Sequence, residues 1–416
     1  MNICILGLGY VGLPLAVSLS RHYNVTGFDV NAQRIKDLKN ANDLTKEVPS
    51  SVLVESSIHY SDTQTSLENQ DVYIVTVPTP VDSQNKPDLS LLVNACQMIG
   101  PFLKPGAIVV FESTVYPGVT EDICGKELEK SSKLTSGVDF FLGYSPERIN
   151  PGDKVHTVDK ITKVVAGQNP KVQEVLKTIY EKVTKVFLAK DIKTAEAAKV
   201  IENAQRDINI AFMNEITMIF DRLGISTYDV LEAAKTKWNF LPFTPGLVGG
   251  HCIGVDPFYL AECAKLVGVN PEVILAGRSV NDGMGPWIGE RIHKKLGHKL
   301  SNILVLGLTF KENVPDLRNT KVIDVIRTLE SFGHKITVVD PIADSNEAEK
   351  YYKISLETLE KLSGFDCIVG AVSHEAFYHF SSKDFERLGK PGALIVDVKK
   401  IWNKNLIPSH QNYLSL

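Results

Sequence analysis

The first twenty residues, "MNICILGLGYVGLPLAVSLS", are apolar almost throughout, yet glycines at 7, 9 and 12 cut the run into two short pieces. A membrane span has no use for those glycines. A secretion signal wants a basic start, and this chain has no Lys or Arg before Arg21. A short strand, a glycine turn and a helix account for the whole pattern. The alternation continues through the first third. Strands are expected at Asn2–Leu6, Val25–Phe28, Asp71–Val77, Ala107–Phe111 and Asp139–Leu142, with helical stretches at Pro14–His22, Gln33–Leu38 and Leu89–Ile99. Strands alternating with helices imply a parallel sheet with helices on both faces.

From about Ile192 the pattern changes. "IKTAEAAKVIENAQRDINIAFMNEITMIFDRLG" holds no proline, and no glycine until its end at Gly224, so it reads as one long helix. Ala198, Ile201, Ala204, Ile208, Ala211, Phe212 and Ile219 recur at helical spacing and predict one long apolar face. More helix is expected at Thr227–Lys235, an irregular loop around 236–255, and another helix from Pro271 to about Gly297. The last third then repeats the first. "KPGAIVVFEST" (104–114) returns as "KPGALIVDVKK" (390–400), "RHYNVTGFDV" (21–30) as "SFGHKITVVDP" (331–341), and "DVYIVTVP" (71–78) loosely as "FDCIVGAV" (365–372). Three matches in chain order favour a duplicated βαβ architecture. The expected organisation of the 416 residues is α/β: two doubly wound parallel-sheet domains, 1–191 and 300–416, joined by a helical domain at 192–299.

Composition narrows the function. The formal net charge is -4 with no long basic run, which argues against nucleic acid or an anionic membrane as partner. Six cysteines, at 4, 96, 124, 252, 263 and 367, form neither CxxC nor zinc-finger spacing, so no metal site is expected. With no secretion signal, they predict free thiols in a reducing cytoplasm.

"GLGYVG" (7–12) matches GxGxxG between a strand and a helix, and a second strand ends at Asp29, the usual distance downstream. Gly7 permits the tight turn, Gly9 lets backbone approach a pyrophosphate, and Gly12 allows close packing of helix on strand. Tyr10 and Val11 complete the phosphate loop, where the helix N-terminus offers free N–H groups. Asp29 suits a ribose 2′-OH and repels a 2′-phosphate, so NAD is expected over NADP. Arg34 nearby could accept a 2′-phosphate instead, and its expected use is to pack flat on the adenine. Thr79 in "TVPTP" (76–80) and Thr114 in "EST" (112–114) fall at carboxyl ends of strands and are candidates to touch the cofactor.

With "SPERI" (145–149), "KVIENAQRDINIAFMNE" (199–215), "GGHCIGVDP" (249–257) and "GLTFKENVPDLRNT" (307–320), these motifs make the chain resemble the UDP-sugar and GDP-sugar dehydrogenases, which oxidise C6 of a nucleotide sugar to a carboxylate. The resemblance covers nearly the whole chain. "KWNFLPFTPGLVGGHCIGVDPFYL" is most similar to the branch acting on UDP-N-acetylhexosamines, and the order expected is UDP-N-acetylgalactosamine slightly ahead of UDP-N-acetylglucosamine, with UDP-glucose far behind.

The resemblance implies roles for particular residues. Oxidising an alcohol to an acid removes two hydrides, and a thiolate at Cys252 would hold the intermediate aldehyde as a thiohemiacetal, then as a thioester that water hydrolyses. Read alone, Cys252 is equally a small buried hydrophobe. Gly249 and Gly250 would let backbone run close to the sugar, with His251 beside them. Lys199 and Asn203, four apart and so on one helical face, would stabilise negative charge on O6. Asp256 would orient a water or a lysine, or simply cap the helix starting near Pro257. Glu147, flanked by Arg148, would act as general base or hold the water for thioester hydrolysis, and Thr114 would position that water. Lys311 would reach the UDP-sugar and Arg318 the substrate or cofactor. Arg206 and Arg278 would bind phosphate or sugar, or form structural ion pairs. Phe240, Phe243 and Tyr259 would line the pocket or belong to the core. Family members dimerise through the central helix, so a homodimer is expected. Two alternatives compete: a two-electron hydroxyacid dehydrogenase, which needs neither Cys252 nor a second α/β domain, and a non-catalytic NAD sensor, which leaves "GGHCIG" idle.

Overall fold

The computed structural model describes residues 1–149, 155, 157–250 and 253–416. His251 and Cys252 therefore lie outside the described residues. The chain packs as two compact units, Met1–Glu202 with Phe258–Asn270, and Asn203–Pro257 with Pro271–Leu416. By packing, the helical middle is shared out between these two units. Tyr259, on the helix Asp256–Leu266, is fully buried in the first unit, its hydroxyl donating to the Pro80 carbonyl at 3.0 Å. The helix Glu272–Lys295 instead puts Met284, Ile288 and Ile292 into the core of the second.

The first unit is built on eight strands: β1 (Asn2–Leu6), β2 (Asn24–Phe28), β3 (His59–Ser61), β4 (Val72–Val75), β5 (Ile108–Phe111), β6 (Phe141–Tyr144), β7 (Lys163–Gly167) and β8 (Val186–Leu188). Their order across the sheet is β3-β2-β1-β4-β5-β6-β7-β8. All neighbours run parallel except β6 and β7. Successive residues feed opposite faces: Cys4 and Leu6 join one buried cluster, Ile3 and Ile5 the other. A strand buried on both sides is apolar without alternation, which is why "ICIL" and "VYIV" read as continuous runs. The strands expected in the first third are present with ends no more than two residues away; β3, β7 and β8 were not anticipated. All three are short or lie toward an edge, and β7 opens on a buried lysine.

The second unit carries β9 (Asn302–Leu306), β10 (Lys335–Val339), β11 (Phe365–Gly370), β12 (Gly389–Asp397) and β13 (Asn412–Ser415), in the order β10-β9-β11-β12-β13 and all parallel. The duplication extends to atomic detail. Gly7 and Gly307, each following the first strand of its sheet, sit at φ 94° and 93°. Their N–H groups donate to Phe28 O and Val339 O at 2.9 and 2.8 Å. The next residues, Leu8 and Leu308, donate to Oδ2 of Asp29 and Asp340 at 2.9 and 2.6 Å.

The long helix runs Ile192–Leu223, as its composition predicts. Its apolar residues do not share one buried face, however. Ala204 and Ala211 are buried, whereas Ile201, Phe212 and Ile219 remain 54, 55 and 47 % exposed. None of the described helices is long and apolar enough to cross a membrane.

Candidate active site

In open parallel sheets ligands bind outside the carboxyl ends of the strands, where the strand order reverses. In the first unit that point lies between β1 and β4. A Cβ on Gly12 would stand 1.9 Å from Gly7 O and 2.5 Å from Thr76 Oγ1, so only glycine lets the helix Gly12–Ser20 start there. A Cβ on Gly9 would meet nothing within 4 Å, leaving open space before the helix N-terminus. Tyr10 and Val11 are half-buried between these glycines. Asp29 accepts one N–H on each oxygen, from Leu8 and from Asn31, both at 2.9 Å. A carboxylate has about four lone-pair sites, so capacity remains for ribose hydroxyls. Thr79 Oγ1 donates to Thr114 O at 2.7 Å, which brings the loops after β4 and β5 together. The Arg34 guanidinium is buried, donating to Leu8 O at 2.9 and 2.7 Å and pairing with Asp43 at 2.8 Å, which braces the phosphate loop from behind.

Glu147 lies in a buried charge cluster. Its Oε1 accepts the N–H groups of Arg148 and Ile149 at 2.6 Å each, and its Oε2 lies 3.1 Å from Lys163 Nζ. Lys163 Nζ also reaches Glu112 Oε2 at 2.7 Å, and Tyr180 donates to Glu112 Oε1 at 2.5 Å. Burial alone would raise the Glu147 carboxyl. The Lys163 ammonium and the two N–H groups outweigh it and hold Glu147 below the usual range. Glu112 goes the other way, because burial and the repulsion of Glu147 exceed what Lys163 returns. Lys163 is raised, its two carboxylates overcoming burial. A carboxylate held in this way is ionised and a weak proton acceptor. Arg148 is held by Glu202 at 2.8 Å and by Thr162 O at 2.8 Å. Lys163, Glu112 and Tyr180 escaped the sequence reading. Glu112 stood inside the quoted "EST", but nothing in the sequence marked Lys163 as its partner.

Lys199, also in the first unit, is 7 % exposed, and among the described residues it forms no ion pair. A buried ammonium left without a carboxylate is costly as structure, which favours a functional reading.

In the second unit Asn203 donates to Asp256 Oδ2 at 2.5 Å, and both are buried. Asp256 is the first residue of its helix, so it serves that end and Asn203 together. Arg278 forms the ion pair that the sequence offered as its second reading, reaching Asp207 at 2.6 Å and Asp282 at 2.5 Å. Arg206 is exposed, and Phe240 and Phe243 are half-buried. Tyr259, in the first unit, is fully buried among the core residues. Gly249 and Gly250 are required by a neighbouring loop: a Cβ on Gly249 would lie 2.5 Å from Asn319 O, and one on Gly250, at φ 86°, would lie 2.6 Å from the Phe310 ring. That packing sets "GG" against the loop carrying Lys311 and Arg318. Arg318 is clasped by Asp316 at 2.7 Å, and Lys311 is half-buried.

Comparison with known proteins agrees with this arrangement along the whole chain. Residues 1–184 match the NAD binding domain of the UDP-glucose/GDP-mannose dehydrogenase family, 193–283 its central domain and 304–404 its UDP binding domain. The chain belongs to that family. It is 51 % identical over 411 residues to Protein CapL of Staphylococcus aureus, covering 97 % of each chain. It is 46 % identical over 413 residues to the UDP-N-acetyl-D-glucosamine 6-dehydrogenase of Pseudomonas aeruginosa, covering 97 % of this chain and 98 % of the other. Among solved structures, the UDP-D-ManNAc dehydrogenase from Pyrococcus horikoshii superposes with a TM-score of 0.88 at 28 % identity, covering 100 % of this chain and 99 % of that one. This member of the family is thus an NAD-dependent oxidoreductase of nucleotide sugars. The open cradle at Gly9, closed behind by Gly12 and flanked by Asp29, fits the dinucleotide that the family binds.

Proposed function

We propose that the enzyme oxidises C6 of a UDP-N-acetylhexosamine to the carboxylate, with Cys252 as nucleophile. The observation that carries the substrate is full-length identity: relatives at 46 and 44 %, matched over 97 and 100 % of this chain, bear the name UDP-N-acetyl-D-glucosamine 6-dehydrogenase. This moves the gluco epimer ahead of the galacto epimer, reversing the order expected from the sequence. NAD, held by the Gly7–Gly12 loop and Asp29, supplies the hydride acceptor at each of the two oxidation stages. Lys199 and Asn203, on one helical face, stabilise negative charge on O6, and Asp256 fixes the Asn203 amide by accepting from it. Cys252 adds to the aldehyde carbon, so that no free aldehyde leaves. The thioester carbon is then attacked by water, releasing the acid and restoring the thiol. Glu147, held ionised by Lys163, orients that water together with Thr114. Lys311 and Arg318 bind the nucleotide sugar, in the loop packed on Gly249 and Gly250.

A homodimer forms, in this reading, through the long helix, whose exposed Ile201, Phe212 and Ile219 otherwise meet water. A reducing cytoplasm suits a chain whose described cysteines are all free.

The test is stoichiometry. Across UDP-N-acetylglucosamine, UDP-N-acetylgalactosamine and UDP-glucose, the acetamido sugars should show the higher kcat/KM and yield two NADH per sugar, with no aldehyde trapped. Cys252→Ala should abolish acid formation while NAD still binds. One NADH per sugar, or near-normal turnover by the alanine variant, defeats the covalent mechanism. UDP-glucose as best substrate defeats the branch assignment.

A further inference from the structure

Beyond the groups given roles above, a buried imidazole in the second unit grips the loop that carries Lys311. His374 follows β11 and is 1 % exposed, its ring edge-on to Phe377 with centroids 5.8 Å apart. Its Nδ1 accepts the Asn313 N–H at 3.0 Å, so Nδ1 bears no proton and the ring carries its proton on Nε2. That Nε2 stands 3.1 Å from Asp340 Oδ2 and 3.1 Å from Thr309 Oγ1. Thr309 Oγ1 donates to the Lys311 carbonyl at 3.0 Å. A second strap lies alongside: the N–H of Glu375 donates to Asn313 Oδ1 at 3.1 Å. Asn313 sits at φ 57°, a left-handed conformation that needs such holding. Lys311 is thus flanked by two anchored residues, Thr309 before it and Asn313 after it, and both anchors meet at one ring.

Asp340 completes the device. Its Oδ2 also accepts the N–H groups of Leu308 and Thr309, at 2.6 and 3.0 Å, and its Oδ1 those of Ile342 and Ala343, at 2.9 Å each. So engaged, it has no acceptor left for a ligand, and its remaining service is to aim His374.

We propose that His374 is a positioning residue for Lys311, fixing the 309–313 turn in the form that binds the UDP-sugar. This rests on the reading that Lys311 contacts the nucleotide sugar, and the experiment separates the two claims. His374→Gln places an amide N–H near the ring's Nε2 but offers no acceptor at the Nδ1 position. His374→Asn keeps an acceptor at the Nδ1 position and reaches nothing at Asp340. Binding of UDP by calorimetry and KM for both substrates are measured for each, beside Lys311→Ala. Losing one buried hydrogen bond corresponds to about a 5- to 10-fold change. His374→Gln should weaken UDP binding and raise KM for the UDP-sugar by that factor, with kcat and KM for NAD within about twofold of wild type. His374→Asn should recover most of the loss. If Lys311→Ala leaves KM for the UDP-sugar unchanged, the reading of Lys311 fails and the proposal with it. If Lys311→Ala raises that KM while both His374 variants bind UDP as wild type does, the proposal alone is overturned. A parallel rise in KM for NAD in His374→Asn would mark a general loss of structure and overturn it as well.

Discussion

Lys163→Met isolates the electrostatics of the first unit, because methionine keeps the apolar stem and deletes only the charge. The ammonium lies 2.7 Å from Glu112 and 3.1 Å from Glu147, with the two carboxylate side chains 0 and 13 % exposed. Removing one partner from a buried ion pair costs about 3–5 kcal/mol, because the charge left behind has been stripped of water and of its counter-ion. The variant can recover part of that cost by taking up protons. In wild type, Glu147 lies below its unfolded value. Its contribution to stability is therefore present above the unfolded pKa and lost as pH falls through the folded one. In the variant the sign reverses: burial dominates, both carboxyls rise above their unfolded values, and each costs stability at neutral pH that returns on acidification. The destabilisation should be about 3 kcal/mol or more at pH 7.5 and less than half of that at pH 5.5. A chain of this length does not open in one step, so the measurement is hydrogen exchange in peptides spanning β6 and β7, corrected for intrinsic rates. A change below about 1 kcal/mol, or one equal at the two pH values, would refute the reasoning: the first by showing the charges well solvated, the second by showing that packing alone was lost.

Two other outcomes are expected. Asp29→Asn, which keeps an acceptor for the Leu8 N–H, should weaken NAD binding about tenfold and narrow its advantage over NADP; a wild type that already prefers NADP inverts the reading of this residue. Acid should loosen the end of the helix Glu272–Lys295, because His334 Nδ1 accepts the Ser301 N–H at 3.2 Å and its Nε2 faces His293 Nδ1 at 3.0 Å. Burial and the neighbouring His293 hold His334 below its ordinary pKa, so the stability it confers is present above the unfolded value near 6.5 and lost as pH falls below it. Hydrogen exchange at 293–302 should quicken below that pH in wild type and much less in His334→Gln; identical profiles would dismiss the histidine pair as the cause.

The strands and the long helix were legible because burial on two faces leaves an apolar signature that local pattern detects. Gly7 and Gly12 were legible because a φ of 94° at the first and the close approach of Gly7 O at the second admit no other residue. Side-chain commitments were not. Arg34 and Arg148 carry the right charge for ligands, but whether Asp43 or Glu202 claims them first depends on contacts between segments, which no local pattern encodes. The same holds for Lys163, drawn to Glu112 from fifty-one residues away, and for His374, whose partners Asp340 and Thr309 come from two other loops. Ile201, Phe212 and Ile219 mislead in another way. Helical periodicity reports an apolar stripe without saying whether the chain's own core covers it.

The duplicated corner shows which part of the cofactor site is ligand chemistry and which is architecture. Asp29 and Asp340 occupy one geometry, each accepting the N–H of the residue after a glycine at φ near 94° and near 93°. That hydrogen bond recurs in the unit that matches the family's UDP binding domain, so it belongs to the fold. What differs is surplus. Asp29 accepts two N–H groups beneath the open space at Gly9. Asp340 accepts four and faces His374 as well, and the position matching Gly9 holds Thr309, which is fully buried. One aspartate therefore keeps acceptor capacity beyond its protein contacts, and its counterpart has given all of its own to protein. It follows that Asp29→Ala would mix two losses, a bracing contact and a ligand contact. Asp29→Asn keeps an acceptor for the Leu8 N–H, gives up the one for Asn31 and removes the negative charge. If the alanine variant binds NAD far more weakly than the asparagine one, the difference between them measures what the Leu8 contact contributes as architecture.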